Sequence, residues 1–146
     1  MKKTATLTLV LGAGLVVALA AALWTTRQAA GEQAAQGRVF ELRTYVTHPG
    51  RLDALNKRFR DHTCRLFKKH GIELVGFWTP ADGPESKNTL VYMVAFPSVE
   101  AQKKSWAAFR EDPEWTTAKA KSEKDGPIVE KIESKNLTAT DYSSIR

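Results

Sequence analysis

The chain has few of the residues that announce a particular chemistry. It has one cysteine in 146 residues, which excludes a disulfide framework and any zinc site built from cysteine pairs. In an oxidising compartment that residue, Cys64, is buried, reactive or bonded to another chain. Arg60 and Lys68, one helical turn to either side, favour a thiolate if the thiol is exposed; the plainer reading is a small residue at the edge of the core. The three histidines, His48, His62 and His70, lack the spacing that puts two ligands on one helix face, so no metal site is expected. There is no Gly-x-Ser-x-Gly, no phosphate loop and no dinucleotide fingerprint, and no cofactor is expected. No Gly-rich or Arg-rich tract is present and the charges alternate in sign, which argues against nucleic acid as a partner.

What is present begins with an export-like N-terminus. Lys2 and Lys3 precede an uncharged run from Thr4 to Thr26, the layout of a secretory signal. Ala20-Ala21-Ala22 and Ala29-Ala30-Gly31 offer the small residues that cleavage needs. The run also reaches the roughly 20 apolar residues that span a bilayer, so an uncleaved anchor over residues 5–24 is the alternative. No cysteine follows it, which sets aside a lipid-modified N-terminus. The expected organisation is a signal peptide or anchor over 1–31, a linker over 32–37 and one domain over 38–146. The expected location is periplasmic or extracellular, with membrane contact only through the N-terminal segment if it is retained. Without residues 1–31 the formal charge falls from +6 to +3, because three cations and no acid are lost.

Six segments follow. Val39 to Val46 alternates with period two and predicts a strand, with Phe40, Leu42 and Val46 on one face and Glu41, Arg43 and Tyr45 on the other. A helix follows from about Pro49, in its first turn, to Gly71, which stops it. Leu52, Leu55, Phe59, Leu66 and Phe67 form its apolar stripe, and His62 falls between Phe59 and Leu66 on that stripe. "IELVGFWTP" and "TLVYMVAF" predict two strands joined by a loop containing Gly83 and Pro84. In the first, Ile72, Leu74, Gly76 and Trp78 oppose Val75 and Phe77. In the second, Val91, Met93 and Ala95 oppose Leu90, Tyr92, Val94 and Phe96. Ser98 caps a second helix with Val99, Trp106 and Phe109 inward, and Asp112-Pro113-Glu114 restarts it until Asp125-Gly126. The last segment, from Pro127, alternates Ile128 and Ile132 with charged groups and predicts an edge strand.

The order β-α-β-β-α-β predicts an α+β, ferredoxin-like fold: a four-stranded antiparallel sheet with helices on one face. Both hairpin strands are apolar on both faces, whereas a solvated face should turn polar. The uncovered face therefore needs a partner, and a symmetric homodimer packed sheet against sheet is the economical solution.

The stretches "FELRTYVTHPGRLDAL", "GFWTPADG", "NTLVYMVAFPS" and "WAAFREDPEW" resemble the NIPSNAP family over about Phe40 to Tyr142. The resemblance implies a ferredoxin-like protomer that pairs into a dimeric α/β barrel, beside small-molecule monooxygenases and haem-handling proteins of that architecture. Better-known relatives are mitochondrial proteins discussed in vesicle traffic and mitophagy, a role that a chain with an export-like start need not share. The family carries no agreed catalytic residues, and fold resemblance does not license a reaction. In such a barrel Glu41, Arg43 and Tyr45 face a covered space between protomers, joined by Trp78 and, from the helix, His62. These five form the candidate pocket for a small aromatic or anionic ligand; the alternative is a satisfied polar network in a dimer interface. Trp106 and Trp115 read as packing anchors. Asn136-Leu137-Thr138 matches a glycosylation acceptor, relevant only to a eukaryotic secretory route. Two functions follow: a dimerising small-ligand-binding or interaction module, or a cofactor-independent monooxygenase or haem-binding enzyme.

Overall fold

A computed structural model describes residues 37–145. The expected signal or anchor, and the linker apart from Gly37, lie outside the described residues. Among the described residues no helix is long and apolar enough to cross a membrane. Four strands, β1 (Val39–Thr47), β2 (Glu73–Trp78), β3 (Thr89–Phe96) and β4 (Val129–Thr138), form one sheet in the order β2-β3-β1-β4. Every neighbouring pair is antiparallel. This is the predicted ferredoxin-like topology, and it makes β1 a central strand flanked on both sides.

The first helical segment runs in three pieces: α1 (Leu52–Arg58), a single π turn (Phe59–Thr63) and α2 (Cys64–Lys69). It starts later than Pro49 predicts. Pro49 and Gly50 make a turn instead, with Gly50 at φ 72° and the Arg51 N–H bonded to the His48 carbonyl. A positive φ suits glycine, which has no Cβ to clash. At the π turn the Cys64 N–H reaches back to the Phe59 carbonyl, and the Thr63 hydroxyl donates to the Arg58 carbonyl at 3.2 Å. Thr63 is thereby buried and His62 is exposed, so His62 is not on the inward stripe. Gly71, at φ 71°, ends the segment as expected.

Both predicted caps form. The Ser98 hydroxyl accepts from the Ala101 N–H and starts α3 (Val99–Glu111); Asp112 accepts from the Glu114 N–H and starts α4 (Pro113–Ser122). Such a cap is worth about 1 kcal/mol, because it satisfies an N–H that the helix leaves unpaired. Phe109 and Trp106 turn inward, while Val99 stays exposed.

The core lies between the helices and one sheet face, around Leu55, Phe59, Leu66, Phe67, Tyr92, Val94 and Phe96. Registry fixes which β1 residues share that face. Glu41 pairs with Val94, Arg43 with Tyr92 and Tyr45 with Leu90. The polar side of β1 therefore lies under the helices of its own chain, and the expectation that it faces a space between protomers is wrong. Leu42, Val46, Val91 and Met93 occupy the uncovered face instead. On β2 an irregularity between Leu74 and Gly76 shifts the alternation. Leu74 and Phe77 both pack on the core, which the uninterrupted period of two assigned to opposite faces.

Candidate functional site

The centre of β1 carries a buried carboxylate. Glu41 is 3% exposed, and its two oxygens accept four hydrogen bonds. Oε1 accepts from Arg43 Nη1 at 2.5 Å and Ser134 Oγ at 2.6 Å. Oε2 accepts from Gln102 Nε2 and Trp106 Nε1, both at 2.6 Å. The Gln102 amide is held by Asn136, which both accepts from and donates to it. Burial alone raises the Glu41 pKa, but the bonds from Ser134, Trp106, Gln102 and Arg43 outweigh it and hold the carboxyl below its ordinary value. It is an anion with no free lone pair to offer a ligand.

Arg43 completes the network. Its guanidinium lies 4.7 Å over the Trp106 ring, and Nη2 donates to the Tyr45 hydroxyl at 3.3 Å. Tyr92, wholly buried, donates to the same Tyr45 oxygen at 3.0 Å. With both lone pairs occupied, Tyr45 keeps only its own proton to give. Burial pushes the Tyr92 phenol well above its ordinary pKa, so it remains a neutral donor.

Tyr45 is also where this network meets a cavity of about 400 Å³ between the helices and the β1–β4 half of the sheet. That volume is in the range of small-molecule sites, roughly 300–1,000 Å³. Phe59, Phe67, Phe109 and Trp115 give it flat apolar walls, and Val129 and Ile132 close the strand side. Its charged groups are Arg58, Lys119, Glu123 and Glu130. Arg58, on the turn preceding the π turn, has a side chain only 3% exposed. Its Nη1 donates to Glu123 Oε1 at 2.9 Å and Ser122 Oγ at 3.2 Å, and the guanidinium lies 5.3 Å from the Trp115 ring centre. Burial raises the Glu123 pKa, yet the bonds from Lys119 and Arg58 pull it below its ordinary value, so the pair is ionic at neutral pH.

Of the five residues singled out in the sequence, three come together and two do not. Glu41, Arg43 and Tyr45 are one network, and only Tyr45 lines the cavity. Trp78 lies on the opposite sheet face, 52% exposed, with its ring across Gly76: a Cβ added there would sit 2.5 Å from it. His62 borders a separate shallow groove with Arg65, Glu114 and Lys121 on the outer helix surface. Cys64 is half-buried, and burial raises its pKa despite the nearby Lys68, so the thiolate that its basic neighbours suggested is not favoured. Among the described residues no group of His, Cys, Asp and Glu could hold a metal ion.

The sequence reading passed over Gln102, Ser134, Arg58 and Glu123, and took Trp106 and Trp115 as packing anchors alone. A signal existed for some of them. Gln102 and Trp106 are four apart and share one face of α3, and Arg58 is three residues from Leu55 on the buried stripe. Ser134 and Glu123 are brought in by strand registry and by the turn after α4, which no local pattern specifies.

The NIPSNAP family model matches residues 40–144. No curated protein matches the chain. Among solved structures, a NIPSNAP family protein of unknown function from Agrobacterium tumefaciens is 27% identical, with a TM-score of 0.66 over 76% of this chain and 96% of that one. An uncharacterized NIPSNAP-like domain protein from Burkholderia xenovorans is 19% identical, with a TM-score of 0.65 over 74% and 90%. SnoaB, a cofactor-independent oxygenase from Streptomyces nogalater, is 13% identical, with a TM-score of 0.50 over 74% and 98%.

Proposed function

The chain belongs to the NIPSNAP family, and from that premise we propose that it is an exported, dimerising module that binds a small flat molecule in the cavity beside Tyr45. The observation that carries the reading is the cavity itself: about 400 Å³, walled by Phe59, Phe67, Phe109 and Trp115. Aromatic walls with a few fixed polar groups are the usual build of a small-molecule site. The π turn supports it, since such turns concentrate at functional sites and this one contributes Phe59 and Thr63 to the wall, directly after Arg58. A thermal-shift screen of flat aromatic compounds tests the reading. A binder raises Tm by mass action, and Trp115→Ala should abolish the rise. A screen in which nothing raises Tm overturns it.

Dimerisation is proposed from the sheet face that the helices leave uncovered. Leu42, Val46, Val91 and Met93 lie there with the exposed Trp78, and a second copy offers the complementary surface. Sedimentation of the full chain at micromolar concentration should give a dimer; a clean monomer removes the idea. Export is proposed on the N-terminal sequence alone, and N-terminal sequencing of the protein recovered outside the cytoplasm checks it.

A second reading uses the same cavity as the substrate site of a cofactor-independent oxygenase. SnoaB bears that name, and at 13% identity its likeness reaches the fold alone. Oxygen uptake with a bound aromatic compound would favour this reading. The separate haem-binding alternative would use His62, which faces away from the cavity; haemin giving no Soret shift removes that alternative.

A further inference from the structure

The charged groups around the cavity are not equivalent. Lys119 and Glu130 are exposed, so water already solvates them. Arg58 is buried, and a buried guanidinium is costly unless its donors are satisfied. Both of its hydrogen bonds leave from Nη1. Its Nε is buried with no hydrogen-bond partner among the described residues. The Nε side of the planar fork therefore lacks an acceptor, in a residue that lines the cavity and lies beside Trp115. The Nε atoms of Arg43 and Arg51 are likewise buried without a partner among the described residues, but neither residue lines the cavity; Arg51 Nη2 donates to the Ser122 and Gly126 carbonyls of the turn after α4. Those bonds fix the turn that carries Glu123. Glu123 in turn holds Arg58 by one oxygen and Lys119 by the other.

We propose that Arg58 is a carboxylate-recognition residue, and that the ligand of this cavity is a flat aromatic acid whose carboxylate docks on the unoccupied side of the Arg58 fork. The inference rests on the cavity reading above and adds the ligand's charge to it. Two parallel N–H bonds from a guanidinium to a carboxylate are both strong and directional. Glu123 keeps its bond to Nη1, so it anchors the guanidinium and also sets a negative charge beside the incoming anion. Removing that charge should tighten anion binding even as it loosens the turn. A residue with a purely structural role would not give that opposite pair of effects.

The experiment uses the full chain with two probes of similar shape, 1-naphthoate and neutral 1-naphthol, in equilibrium dialysis, with the Trp115 indole N–H followed by NMR. Naphthoate should bind at least roughly tenfold tighter than naphthol, the ratio expected for one charge-assisted bond pair. Arg58→Lys, which keeps the charge but loses the fork, should remove most of that preference and leave naphthol unchanged. Glu123→Gln should lower Tm and strengthen naphthoate binding several-fold. The Glu123→Gln arm stands on its own if Arg58→Lys does not fold. If both probes move the Trp115 signal with equal affinity, or Glu123→Gln weakens naphthoate, the assignment of Arg58 is wrong and the cavity reading survives. If neither probe moves the signal, both readings fall.

Discussion

Two arginine–glutamate pairs, one on β1 beneath α3 and one joining α1 to the turn after α4, do different work. Arg43–Glu41 is closed to the cavity: the glutamate accepts four bonds, both terminal nitrogens of the arginine are engaged, and its Nε, buried without a partner among the described residues, does not border the cavity. Arg58–Glu123 is open: one nitrogen carries all the bonds, and the guanidinium borders an aromatic cavity. A buried pair whose terminal groups are engaged away from any cavity specifies packing, since a ligand would have to break a bond to reach it. An incompletely satisfied one beside a cavity leaves donors for something else. The comparison moves the functional weight from Arg43, where the sequence pattern suggests it, to Arg58.

That contrast can be broken at several points. Glu41→Ala strands the Arg43 charge and the donors of Gln102, Trp106 and Ser134 in the core. It should cost about 3–5 kcal/mol in denaturant unfolding, the range for breaking one side of a buried ion pair. Glu123→Gln leaves a neutral acceptor in place and reaches solvent more easily, so its cost should be smaller, about 1–2 kcal/mol. A larger loss at Glu123 than at Glu41 would reverse the assignment of closed and open pairs. Tyr45→Phe keeps the ring against Phe59 and Tyr92 but removes the acceptor for Arg43 and Tyr92. About 1 kcal/mol should be lost, with Tm as the readout.

Acid separates the contributions further. The Glu41 pKa is lower in the folded chain than its ordinary value of 4.5, so its contribution is fully present above pH 4.5 and is lost as pH falls through the lower folded value. Wild type should therefore lose stability over that window, and Glu41→Gln should lose less over the same range. The smallest effect belongs to His62→Ala, within about 0.5 kcal/mol, because the residue is exposed. A large effect there would restore His62 to the site.

Element order and fold were legible because they depend on local signals. Ser98 and Asp112 cap helices where their side chains predict it, and Gly71 stops one where a positive φ is needed. Period two also separated the faces of β1 correctly. It could not say which face is covered, because Glu41 and Arg43 look like solvent-facing residues until their partners are known. Those partners, Gln102, Trp106 and Ser134, come from a helix and a strand more than 60 residues away. Two irregularities also defeated simple periodicity. The π turn buries Thr63 and exposes His62, and the break in β2 between Leu74 and Gly76 sets Leu74 and Phe77 on one side. Arg58 was missed because a cation on an apolar stripe reads as a boundary residue when its glutamate lies in a distant turn.

The most direct test is a two-dimensional 15N spectrum of the full chain titrated with 1-naphthoate, with the Arg58 Nε–H and the Trp115 and Trp78 indole signals assigned. Arg58 and Trp115 should move together and saturate, while Trp78 on the opposite face stays still. Movement of Trp78 with Arg58 and Trp115 unchanged would contradict it, placing ligand binding on the uncovered face of the sheet.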